Sequence, residues 1–184
     1  MPKETNQYPD YRRIPIFNLT QEEIAVLISG SNGIYYIELV AVYPQIGGLG
    51  TVLHEIAFES ILESSGGAKT ILVITQNPAE ILAFKKATNK LGQTCFPFDR
   101  PMNINEREVV NAWLSTGPVR DFRPRPEVNL DLGIFYNFFR NWQPQIDRNI
   151  KAGELQDFLI RNGTNFDEFC DDKNAFILGF SFSK

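Results

Sequence analysis

Histidine and cysteine are scarce: the 184 residues hold one histidine, His54, and two cysteines, Cys95 and Cys170. Cysteines this few and this far apart build no disulfide framework, and one histidine allows no metal-ligand spacing. No metal is therefore expected. Long apolar runs are missing as well. None approaches the roughly 20 residues a membrane helix needs, and the opening MPKETNQYPDYRR lacks the apolar centre of a signal peptide. The expectation is a cytoplasmic chain away from membranes, in which Asn18-Leu19-Thr20 and Asn162-Gly163-Thr164 are chance sequons. A basic excess is absent too: the net charge of −4 and pI near 5.1 give no general attraction to nucleic acid. No Ser-His-Asp or Cys-His grouping is legible, and neither G-x-G-x-x-G nor G-K-[ST] occurs where a nucleotide fingerprint needs it.

What is present belongs to a folded α/β chain. Hydrophobic residues make up 43% and charged residues 22%, and 15 Phe, 6 Tyr and 2 Trp argue against disorder. Residues 1–13 read as a loose polar arm. Residues 24–28 and 34–42 read as a hairpin around Ser29-Gly30-Ser31-Asn32-Gly33. A helix is expected over 51–64, with Thr51 near its N-cap and Val52, Leu53, Ile56, Ala57, Ser60 and Ile61 on the buried stripe. Residues 69–75 form a buried strand, and Asn77-Pro78 opens a helix over 79–89. Strand, helix, strand in this order predicts a parallel pairing. Further on, the pattern predicts helices over 105–114 and 153–162 and a closing strand over 175–182. Residues 130–142 remain ambiguous between helix and strand.

One stretch proposes a chemistry. Val40-Ala41-Val42-Tyr43-Pro44-Gln45-Ile46-Gly47-Gly48-Leu49-Gly50-Thr51 runs from an apolar strand through glycines into a helix. Glycines let successive N–H groups converge, and the helix amino end adds partial positive charge, an arrangement suited to a pyrophosphate.

Gln45-Ile46-Gly47-Gly48-Leu49-Gly50 matches a Q/R-x-x-G-x-G/A signature. With its flanking strand and helix, it resembles the GNAT family of acyl-CoA N-acyltransferases over about residues 22–91. The resemblance implies a mixed, mostly antiparallel α/β sheet, with residues 1–95 as the acyl-CoA-binding core. Residues 96–184 would be a divergent C-terminal α+β part packed on it. It also implies acetyl-CoA, or another acyl-CoA, as cosubstrate. Gln45 would open the loop, and the N–H groups of Ile46, Gly47, Gly48, Leu49, Gly50 and Thr51 would hold the pyrophosphate. Backbone groups near Val40 and Val42 would pair with the pantetheine arm, and Asn77 and its helix would flank the thioester. Phe84 falls where the family often carries a tyrosine that protonates the departing thiolate.

The implied function is direct acyl transfer to an amine acceptor whose identity the sequence does not reveal. Positioning and an oxyanion-stabilising N–H near Val42 would supply most of the catalysis. Glu38 stands alone in an apolar strand; by the resemblance it is a candidate base, and otherwise a paired or solvent-reaching carboxylate. Tyr36 shares its face by period two, as acceptor-positioning group, as acid or as ordinary packing. Two departures favour an alternative, a catalytically degenerate relative acting as a CoA-binding or protein-interaction module. Phe84 has no proton to give, and Ala87-Thr88-Asn89 stands where the family closes this motif with Gly-Phe. Elsewhere His54 is expected on a helix flank and Lys85-Lys86 on a solvated face. Arg120, Arg123 and Arg125 form a basic patch among prolines, and the aromatic run from Ile134 to Trp142 is core, the lining of an acceptor pocket or a homodimer surface.

Overall fold

Three antiparallel strands open the sheet: β1 (Arg12–Leu19), β2 (Glu22–Ser31) and β3 (Ile34–Val42). The computed structural model describes residues 12–19, 22–31, 33–42, 48–63, 69–116, 127–139 and 153–182. β1 takes up the last two residues of the expected loose arm, Arg12 and Arg13, which pair with Ile28 and Leu27, while residues 1–11 lie outside the described residues. Pro15 hid this strand from sequence. Proline is tolerated on an edge strand or at an irregularity, and β1 is both, its register shifting between Pro15 and Phe17. The hairpin turn is tighter than expected: Ser31 pairs with Ile34, and Gly33 supplies a φ of +78°.

Helix α1 (Leu49–Glu63) leads to β4 (Lys69–Thr75), whose seven residues are all buried. Helix α2 (Pro78–Lys90) starts as its sequence predicts. The Asn77 side chain accepts the Ala79 N–H at 3.0 Å, and Pro78 occupies the first turn, where its missing N–H is harmless. Next come α3 (Ile104–Thr116), β5 (Glu127–Asn129), β6 (Ile134–Tyr136), α4 (Gly153–Arg161), α5 (Phe166–Asp171) and β7 (Ala175–Phe182). Asn103 and Glu106 cap α3 reciprocally, each side chain accepting the other's N–H at 2.9 Å. β5 and α5 were not expected: three and six residues are too few to show a period. Residues 117–126 and 140–152, with the arginine patch and Trp142, lie outside the described residues, as does Ser65-Gly66-Gly67, the expected stop of the helix over 51–64.

The seven strands form one mixed α/β sheet in the order β1-β2-β3-β4-β7-β6-β5. β3 and β4 are parallel, as expected of a strand–helix–strand unit, and every other pairing is antiparallel. β7, from the end of the chain, lies in mid-sheet against β4. Alternation along the strands sends Ile71, Val73, Phe176, Leu178 and Phe180 into a core with α1, α2, α4 and α5. Leu72, Ile74, Ala175 and Ile177 face the other way, against Val110 and Trp113 of α3. Among the described residues no helix is long and apolar enough to cross a membrane.

The buried stripe of α1 differs from the expected one. Leu53, His54, Ala57, Phe58 and Ile61 are buried, while Val52 is 44% exposed. The helix begins at Leu49, so Thr51 lies inside the first turn instead of capping it.

A candidate site where the sheet opens

β3 and β4 pair from Ile34↔Thr70 to Ile37↔Val73 and, among the described residues, no further. Each strand then continues along its other neighbour, β3 to Val42 opposite Ile24 and β4 to Thr75 opposite Phe176. The two central strands therefore separate at their carboxyl ends. The cause is local. Leu39 pairs with Leu27 and Ile37 with Ile28, so Glu38 is the extra residue of a bulge in β3. A bulge bends and twists its strand, and such irregularities gather beside active sites. Backbone groups that lose their partner strand must be met by water or a ligand. Open α/β sheets place ligands beyond the carboxyl ends of their strands.

The bulge also removes the ground for one expectation. Period-two reasoning put Tyr36 and Glu38 on one face, but that period assumes a regular strand. The Tyr36 ring lies 5.0 Å from that of Trp113, on the face covered by α3. α1 and α2 cover the opposite face. Glu38, Val40 and Val42 are placed by their backbones alone, Val40 opposite Val26 and Val42 opposite Ile24. Gln45, Ile46 and Gly47 lie outside the described residues.

Helix α1 begins at Leu49, seven residues after the end of β3. Gly48 is exposed with φ +84°, a conformation that suits glycine, and its carbonyl accepts the N–H groups of Thr51 and Val52 at 3.1 and 3.3 Å. The N–H groups of Leu49 and Gly50 have no acceptor within the helix, and the macrodipole adds to their positive end. Gly50 allows close approach to α2: a Cβ there would stand 3.4 Å from the Ala83 Cβ.

Behind this turn His54 is fully buried, not on a helix flank. Its Nδ1 lies 2.8 Å from the Gly50 carbonyl and its ring 5.5 Å from Phe84. Burial pushes its pKa down to about 4, against the smaller opposing effect of the Gly50 hydrogen bond. The imidazole is neutral near pH 7. Phe84 has no exposed surface and packs with Phe58 and Phe180, so it meets no ligand at the mouth in this conformation.

At the end of β4 the sequence missed a group. Glu80, in the first turn of α2, is hydrogen-bonded by the Thr75 hydroxyl, which in turn accepts the Asn77 N–H at 3.0 Å. The residue keeps some exposed surface, but its carboxyl is desolvated, and burial raises its pKa to about 7 against that hydrogen bond. A glutamate at a helix start reads as a routine complement to the dipole. Only tertiary burial makes this one unusual.

A second opening, of about 450 Å³, lies between α2 and α4, with Phe98 and Phe158 in its wall. Lys85 there is buried, not solvated, held by Asp99 at 2.9 Å and Glu154 at 2.5 Å. Its charges largely compensate one another. No protein-family model, curated protein or solved structure matches the chain.

Proposed function

We propose that the chain is an acyl-CoA-dependent N-acyltransferase of GNAT type, moving an acetyl or other acyl group to an amine. The observation that carries the reading is the parting of β3 and β4 beyond Ile37↔Val73, at the Glu38 bulge, in a strand that the amino end of α1 follows in the chain. An extended pantetheine arm suits a gap between strands, because it can replace the missing strand's hydrogen bonds. A pyrophosphate suits the helix end at Gly48, Leu49, Gly50 and Thr51. The order of parallel β3–β4 flanked by antiparallel strands supports the same reading. Attack by a neutral amine on a thioester held there needs positioning and an oxyanion donor, which the unpaired backbone of β3 near Val42 would supply. Residues 1–95 would then be the acyl-CoA-binding core and 96–184 the part that completes the sheet. A reducing, cytoplasmic setting belongs to the same proposal, with Cys95 and Cys170 as free buried thiols.

Thermal melting of the purified chain with acetyl-CoA, CoA, ATP or NAD tests it. A ligand at about 100 times its Kd adds roughly 2.7 kcal/mol. Acetyl-CoA and CoA should raise the Tm, and Gly48→Glu, which sets a carboxylate at the helix end, should abolish the rise. No rise with either thioester or thiol sinks the reading; a rise only with ATP or NAD points to a nucleotide site.

Phe84 favours a second reading, a CoA-binding or protein-interaction module without turnover. It lacks a proton and is sealed in the core. Undiminished CoA binding with no transfer to any amine tried would favour that reading.

A further inference from the structure

Glu80 stands three residues before Ala83, the point on α2 against which Gly50 of α1 packs. Positions i and i+3 share a helix face. Its backbone thus lies on the α1-facing side of α2, about 5 Å nearer the amino end of that helix than the contact with Gly50. Its partner Thr75 is the last residue of β4, past the final β3–β4 pair. The Thr75 oxygen already accepts the Asn77 N–H, so its one proton is directed to the Glu80 carboxyl. One hydroxyl satisfies one carboxyl oxygen. Among the described residues no other group hydrogen-bonds Glu80, and the residue keeps some exposed surface.

We propose that Glu80 is the acid–base residue of this opening, giving its proton to the departing thiolate and recovering one from the attacking nitrogen. The inference rests on the N-acyltransferase reading. A neutral amine nitrogen bonds to the thioester carbon and the carbon–sulfur bond breaks with its electron pair on sulfur. Sulfur takes the Glu80 proton, and the carboxylate takes the proton that nitrogen sheds in becoming an amide. The carboxyl ends as it began and no further reactant is consumed. Desolvation leaves both of its forms populated near neutrality, as one group serving both steps requires.

Several other ionisable groups on the packed elements are already engaged or uncharged. His54 of α1 is neutral near pH 7, Glu55 of α1 pairs with Lys90, and Lys85 of α2 is held by Asp99 and Glu154. Lys69 of β4 donates to the carbonyls of Ile61 and Leu62, at the other end of the strand.

The test is a carboxyl-carbon NMR titration of the full chain labelled at glutamate, with the Glu80 signal assigned by its loss in Glu80→Gln and, independently, in Glu80→Asp. The titration is run on the free protein, with saturating CoA, and with desulfo-CoA, which lacks the sulfur. Glu80 should titrate near neutrality in the free protein. Its midpoint should move by about half a pH unit or more with CoA, and by less with desulfo-CoA. A midpoint that stays put, or moves equally with both, while other signals report binding, overturns the role of Glu80 and leaves the N-acyltransferase reading standing. Failure of either ligand to perturb any signal overturns both.

Discussion

The Nδ1 of His54 lies 2.8 Å from the carbonyl oxygen of Gly50. A carbonyl only accepts, so the proton is on Nδ1, and the buried Nε2 is left as an acceptor without a partner among the described residues. Protonating that nitrogen would place a cation among Phe58 and Phe84. The cost is set by the drop in pKa from 6.5 to about 4. Between those values the unfolded chain binds more protons, so stability falls as pH falls from 6.5 and the loss is complete below about 4. Its full size is on the order of 3 kcal/mol. His54→Phe should flatten this acid limb in urea unfolding measured from pH 4 to 8. A variant curve parallel to wild type would refute the assignment.

Glu80 works in the opposite sense. Its pKa is raised from 4.5 to about 7, so its contribution is present below pH 4.5 and lost as pH rises through about 7. Glu80→Gln should remove that decline and leave the His54 limb intact, so the two variants should separate the halves of one stability profile. An unchanged neutral limb in Glu80→Gln would place the titration elsewhere.

Arg100 grips Glu106 with both terminal nitrogens, each 2.6 Å from a carboxylate oxygen, and Glu106 is 1% exposed. Burial raises the Glu106 pKa, but the Arg100 hydrogen bonds and the Asn103 N–H outweigh it, and the carboxylate stays ionised. Arg100→Met should cost about 3 kcal/mol in denaturant unfolding, because a buried charge loses its partner. Adding Glu106→Gln should recover a substantial part. Simple additivity of the two losses would show that the pair is not coupled.

Lys85 separates a partly buried ion pair from an exposed one. Asp99 is 22% exposed and also accepts the Cys95 N–H, while Glu154 is 74% exposed. Glu154→Gln should change stability by no more than about 0.5 kcal/mol. Lys85→Met, which strands Asp99, should cost about 2 kcal/mol. Equal effects, measured at the same ionic strength, would contradict this division.

Gly179 in β7 has no room for a methyl group: a Cβ would stand 2.6 Å from both the Ile71 carbonyl oxygen and the Phe96 ring. Gly163 has φ +81° but nothing within 4 Å of a Cβ. Gly179→Ala should cost about 3 kcal/mol or abolish soluble expression. Gly163→Ala should cost only about 1 kcal/mol of backbone strain. Similar melting points for the two would mean that β7 can shift to relieve the clash.

What the sequence by itself determined were the elements whose signals are local. β4 and β7 carry unbroken or alternating apolar runs, and α2 carries Asn77-Pro78 at its start, so their bounds were legible to within a residue or two. The parallel β3–β4 pairing followed from element order alone. Tertiary structure decided the rest, because the deciding quantities are distances between residues far apart in the chain. The place of β7 between β4 and β6 is one, and the edge position that accommodates Pro15 in β1 is another. The same holds at the site. The glycine run announced a helix end suited to an anion, but the bulge at Glu38 depends on how β2 pairs with β3. Glu80 and His54 look routine in sequence, since a side chain's pKa answers to the water that folding removes from around it.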